Sequence, residues 1–373
     1  MSRLVLVGAV AALMLFAGCL EEGGFSKSAS KRSLGGAKEA LAVVDGMLPT
    51  TEPLWQNPQY YPHPAYNYPT LTNPPQIISN PWLKPIESKT LPTNIQGLTK
   101  VGQVDNPAAR SSGMSVIGSL AILPSSMTRL VDISDPLAPK VVGEFNVSAR
   151  ASDVIVYPDG TIVAVLATGG PSIVLADITD PTNPYEIGRI QTKGTHKVDV
   201  VPGTPVIYNS ARGEIYDASD PANPVNSTSV MPALCHRTYF YNDPAREMYR
   251  AYCAGYDFTH IWDTAEPLHP KLIKSIPMWH ANDDVAPSSV TPVTFSHFSI
   301  PNDDATVLIV GDEMGGGAAP ACGVHASTPV RDASTPTGAL WFYDIKDEKN
   351  PTLLSWISPR SHVVDNPGAG SCT

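Results

Sequence analysis

Between Leu130 and Ile357, apolar residues recur in short alternating runs that stop at an aspartate, five times over. The runs end RLVD, IVLAD, GEIYD, HIWD and LWFYD, and the residue two before each aspartate is apolar: Leu130, Leu175, Ile215, Ile261 and Phe342. Such alternation marks a strand with an inward face, so each run predicts a strand ending on Asp132, Asp177, Asp217, Asp263 or Asp344. A second acid follows three residues later (Asp135, Asp180, Asp220, Glu266, Asp347), ahead of proline in four copies and of Glu348 in the fifth. Aspartate accepts nearby N–H groups and proline fixes φ, so the segment reads as a rigid corner and its acids as structural. Another proline stands seven residues past each anchor (Pro139, Pro184, Pro224, Pro270, Pro351). It holds the residue before it extended and launches a second strand. That strand carries a large apolar residue thirteen past the anchor: Phe145, Ile190, Val230, Ile276 or Ile357.

Successive anchors lie 45, 40, 46 and 81 residues apart, the last gap being one period with an insertion. Repeats of about 40–45 residues built from short strands predict the blades of a β-propeller. The second unit shows four strands: ASDVIVYP, TIVAVLAT, SIVLADI and YEIGRI. The first is the most evenly apolar and is expected to line the centre. LTKVGQV, from Leu98, matches the KVVGEF strand without its corner. Five complete sets follow it, so the expected fold is all-β, a propeller of four-stranded blades. The chain stops at GAGSCT, where a sixth inner strand would begin, and so reads as a truncated piece of a six- or seven-bladed ring.

The N-terminus predicts an address. Ser2-Arg3 precedes an apolar run from Leu4 to Ala17, too short to span as a mature helix, and Gly18-Cys19 follows. This is a secretory signal. It resembles a lipoprotein signal, which implies lipidation of Cys19 and anchoring at a membrane surface. Residues 1–19 are therefore read as signal, 20–97 as a tether and Pro/Tyr-rich arm, and 98–373 as the propeller. Within the arm a short helix is expected around Ala37 to Met47. WQNPQYYPHPAYNYPTLTNPP is expected to run extended, partly against the propeller, because its aromatic rings are costly to leave in water. Outside the cytoplasm the remaining Cys235, Cys253, Cys322 and Cys372 suggest two disulfides, with three pairings open. Cys235 and Cys253 are symmetric about Pro244, and are expected to face each other across a hairpin; Cys322–Cys372 would be the second bridge.

LVDISDP and VLADITDP resemble the LVIVD-repeat family of extracytoplasmic β-propellers, from Leu98 to Ile357. The resemblance implies the blade and no single activity; the corners DTAEP and DIKDE depart most from it. In propellers of this plan the loops before strand one and between strands two and three share a face, the usual binding face. Before successive inner strands stand His196 with Lys197, His236 with Arg237, and His297, expected to converge there. Asp312, Glu313 and His325, the last in the loop GGGAAPACGVH, are expected on the same face. His196, His236 and His297 beside an acid pair are a candidate set for copper, zinc or iron. Channel-mouth histidines bind copper in selenium-binding-type methanethiol oxidases. The alternative use is simply to hold blades together. HxH, HExxH, CxxC, GxSxG, Walker and dinucleotide signatures are absent, so no cofactor is predicted and a transition metal remains the alternative. A net charge of −10 argues against nucleic acid as partner. The function expected is a lipid-anchored, non-enzymatic propeller that binds protein, peptide or glycan; the alternative is a metal-dependent oxidase.

Overall fold

The computed structural model describes residues 103–104, 113–255, 258–277, 296–312 and 340–357. Their twenty strands make five four-stranded antiparallel sheets, each in chain order. Sheet one holds β1 (Ser115–Ile117), β2 (Leu120–Leu123), β3 (Thr128–Asp132) and β4 (Lys140–Phe145). Sheet two holds β5 (Ala151–Val156), β6 (Ile162–Ala167), β7 (Ser172–Asp177) and β8 (Tyr185–Gln191). Sheet three holds β9 (Asp199–Val200), β10 (Val206–Asn209), β11 (Glu214–Asp217) and β12 (Val225–Val230). Sheet four holds β13 (Arg237–Asp243), β14 (Met248–Gly255), β15 (Phe258–Asp263) and β16 (Lys271–Pro277). Sheet five holds β17 (Ser296–Pro301), β18 (Val307–Asp312), β19 (Leu340–Asp344) and β20 (Thr352–Ile357). The four strands predicted for the second unit are β5 to β8. Of the segment from Leu98, only residues 103–104 are described, and they are not in a strand. The signal with Cys19, the arm, Cys322, Cys372 and the chain end lie outside the described residues. No helix among those residues is long and apolar enough to cross a membrane.

Each third strand ends on its anchor aspartate, and the carboxylate explains why. In all five copies it accepts the N–H two residues on: Ser134 from Asp132, Thr179 from Asp177, Ser219 from Asp217, Ala265 from Asp263 and Lys346 from Asp344, at 2.8–2.9 Å. The second acid repeats this in four copies, from Leu137, Thr182, Ala222 and Lys349 at 3.0–3.1 Å. Glu266 is one methylene too long for that turn, and its carboxylate goes instead to Lys271. All five copies keep the backbone closure, such as Ala138 N–H to the Asp135 carbonyl at 3.0 Å and His269 N–H to that of Glu266 at 2.8 Å.

The sheets stack face to face, and apolar burial lies between them. Ile122, Leu130, Ala164 and Leu166 fill the gap between sheets one and two; Val165, Leu175, Ile207 and Tyr216 the next. Tyr208, Ile215, Ala251 and Trp262 follow, and then Ile261, Leu308, Val310 and Trp341. The first strands β1, β5, β9, β13 and β17 touch in succession, which makes them the inner edges of a propeller. Sheet five departs from the others. Trp341 and Tyr343 are buried, whereas Phe342, the residue expected to face inward, is half-buried and every residue of β20 is exposed. Only one face of this sheet is covered by another described sheet.

Outer strands pass close beneath the following corner. A Cβ on Gly143 would run into the Pro181 carbonyl oxygen, and one on Gly188 into that of Pro221. Gly143→Ala and Gly188→Ala are each expected to lower stability by about 1–3 kcal/mol in urea unfolding, because the backbones must separate. Gly170→Ala, which would meet only the Thr168 hydroxyl at 3.6 Å, should change little.

The bridge Cys235–Cys253 is present, with Cα atoms 5.4 Å apart. Its geometry differs from the cross-strand pair expected. The hairpin turns through Pro244–Arg246, pairing Asp243 with Met248, so the partner of Cys253 across the ladder is Thr238. Cys235 precedes the strand and returns to it, its N–H held by the Ser210 carbonyl at 3.0 Å.

Candidate functional site

First and third strands of a sheet run the same way. Residues at the start of a first strand therefore lie at the opposite end of the sheets from the aspartate corners. His196 lies three residues before β9, His236 immediately precedes β13, and His297 is the second residue of β17. Three successive sheets thus deliver an imidazole to one end of their inner edges.

Each ring is placed by its neighbours. Thr195 fixes the approach to His196: its hydroxyl accepts from Gly169 N–H at 2.9 Å and donates to the Gly170 carbonyl at 3.2 Å, both in the turn after β6. His236 is held from both sides, by the disulfide at Cys235 and by its own N–H to the Ala254 carbonyl at 2.7 Å. His297 is the extra residue of a β-bulge, since Ser296 pairs with Asp312 and Phe298 with Gly311. A bulge re-aims the side chain it carries.

The rings meet. His196 Nε2 lies 2.7 Å from His236 Nε2, and His236 Nδ1 lies 3.2 Å from the His297 carbonyl. Ring centroids are 4.6 Å apart for His196 and His236, and 4.3 Å for His236 and His297. A carbonyl only accepts, so the His236 proton sits on Nδ1 and its Nε2 receives the Nε2–H of His196. All three are held neutral at pH 7. Burial, then His297 and His196, push His236 down to about 3; burial, then Lys197 and Arg237, push His297 down to about 4. His196 is lowered by burial and by Arg150 and Lys197.

Cations surround the rings. Lys197 reaches across to the segment before β1, its Nζ 3.0 Å from where a Gly113 Cβ would stand. Arg237 opens β13 beside His236, and the Arg150 side chain lies along Gly169. Behind them stand two acids that the sequence reading passed over, Asp153 and Asp199, 46 residues apart. Asp153 Oδ2 accepts the N–H of Val200 at 2.7 Å, and Asp199 Oδ2 accepts that of Thr238 at 3.1 Å and the Ser210 hydroxyl at 3.1 Å. Each carboxyl thus ties its inner strand to the next. Burial raises Asp153 to about 7 and raises Asp199, the nearby Arg237 opposing both.

Among the described residues, no group of three or more His, Cys, Asp or Glu side chains is arranged to hold a metal ion. Both ring nitrogens of His236 are engaged, by His196 and by the His297 carbonyl. Asp312 pairs through its backbone with Ser296, beside His297. Glu313 and His325 lie outside the described residues.

The sheets, their stacking and their inner edges define a β-propeller. No protein-family model matches the sequence, and no curated protein matches it. Among solved structures, a putative 6-phosphogluconolactonase from Bacteroides fragilis is similar at TM-score 0.46 and 10% identity, over 68% of this chain and 72% of that one. A periplasmic gluconolactonase of Pseudomonas aeruginosa follows at 0.44 and 8%, over 71% and 72%. The Cps50 (Swd1) β-propeller domain of Myceliophteria thermophila gives 0.37 and 10%, over 70% and 89%. These likenesses concern architecture and carry nothing about what this chain binds.

Proposed function

We propose that this chain is an exported propeller of the LVIVD-repeat type, anchored through lipidated Cys19, that binds a protein, peptide or glycan where the inner strands begin. The observation that supports it is the meeting of His196, His236 and His297 from three sheets, with Lys197 and Arg237 beside them. Neutral imidazoles and cations on one end of a rigid scaffold are built to contact a ligand, and the opposite end is occupied by corners whose acids are engaged in turns. Peptide and glycan arrays probed with the purified protein are expected to retain a discrete set of probes. That set should be lost in the variant His236→Ala/Arg237→Ala while circular dichroism is unchanged. Retention of the same set by the variant would place the binding surface elsewhere. Stoichiometric copper or zinc in the purified protein, lost in His236→Ala, would move it to the metal-dependent class instead.

A further inference from the structure

We propose that the group recognised at the imidazole cluster is an oxyanion, a carboxylate or phosphate carried by the ligand; this rests on the reading of that end as the binding site. Three cations act on the rings: Arg150 and Lys197 on His196, Lys197 on His236, and Lys197 and Arg237 on His297. Arg150 comes from the start of sheet two, Lys197 from sheet three, and Arg237 from sheet four. Arg237 offers a planar fork that matches two oxygens at once, and Lys197 a compact point charge. The imidazoles among them are neutral and do not repel one another or the cations, so the positive charge at this place is that of Arg150, Lys197 and Arg237.

The nearest acids, Asp153 and Asp199, lie against Arg237, whose charge lowers both, while burial raises them. Asp153 and Asp199 direct carboxylate oxygens at strand N–H groups, Val200 and Thr238, and hold the inner edges together. Asp132, Asp177, Asp217, Asp263 and Asp344 all end third strands, at the far end of the sheets. The cations beside the rings attract an approaching anion, most strongly at low ionic strength.

Isothermal titration at low ionic strength, with inorganic phosphate and with citrate as probes, tests the assignment. Both probes should bind the wild-type protein at one equivalent, above any effect of sodium chloride at equal ionic strength. Arg237→Gln and Lys197→Gln should each weaken binding tenfold or more, while Lys193→Gln, exposed on the neighbouring loop, should leave it unchanged. Urea midpoints of the variants within error of wild type exclude misfolding as the cause. No binding of either probe, or equal affinity in all three variants, overturns the proposal. If the probes fail while array capture still depends on His236 and Arg237, the oxyanion falls and the binding end stands; if capture is also indifferent to them, both fall.

Discussion

Replacing Cys235 and Cys253 together by alanine is expected to lower the stability of the protein by about 3 kcal/mol, the chain-entropy value for a loop of this length. The bridge closes 18 residues of chain. It joins β14 of sheet four to the segment that crosses from sheet three, whose Cys235 N–H is bound to the Ser210 carbonyl. Without the bridge, that crossing keeps only its non-covalent contacts, and both sulfurs lie in the buried core between sheets three and four. The double alanine variant should therefore show a lower urea midpoint, and added reductant should lower the wild-type midpoint by more than it lowers the variant's. Equal midpoints for wild type and variant under oxidising conditions would remove the bridge from the account of stability. A second consequence follows from adjacency. His236 is the residue after Cys235, so the variant should also lose affinity for whatever the cluster binds, even well below its melting temperature.

The corner motif carried most of the fold because its chemistry is local. A short acid that caps a turn and a proline that fixes φ act within a few residues, and all five corners close as such residues dictate. His196 and His236 were legible for a related reason, equal offsets from a repeated anchor, whereas His297 follows a longer loop and was placed by the strand after it. What required coordinates was the relation between sheets. Phe342 was expected to face inward from its place two before an aspartate, yet Trp341 and Tyr343 take the buried positions, because sheet five is covered by a described sheet on one side only. The cysteine pair was identified by symmetry about Pro244, but a turn through Pro244–Arg246 displaces the ladder, and Cys235 reaches Cys253 from outside the strand. The β-bulge that aims His297 depends on pairing with β18, across a turn at Asn302 to Asp304. Asp153 and Asp199 were hidden by their setting, since an acid in an apolar run acquires meaning only when the next strand's N–H is found against it.

Asp153→Asn is expected to remove a contribution to stability that in wild type declines as pH rises. Asp153 lies between sheets two and three, facing Asp199 and Arg237, and burial raises its carboxyl from the ordinary 3.8 to about 7. The folded state therefore holds this proton more tightly than the unfolded chain does. The stabilisation is full below the unfolded value, declines as pH climbs, and is gone above about 7. A difference of this size corresponds to at most about 4 kcal/mol. The buried histidines act on the other flank. His236 and His297 are lowered in the fold to about 3 and about 4, so their neutral forms support folding above the ordinary imidazole value of 6.5 and that support declines as pH falls. Wild type should accordingly be most stable in a window near neutrality, with Asp153 setting the alkaline side. Asparagine keeps one oxygen for a strand N–H but turns an amide toward the other, since Val200 and Val154 both donate to the native carboxyl. The variant should be less stable than wild type at pH 5, and the gap should close or reverse by pH 8. Urea midpoints at pH 5, 6, 7 and 8 decide it: parallel curves for the two proteins would mean that Asp153 does not change its protonation across this range on folding.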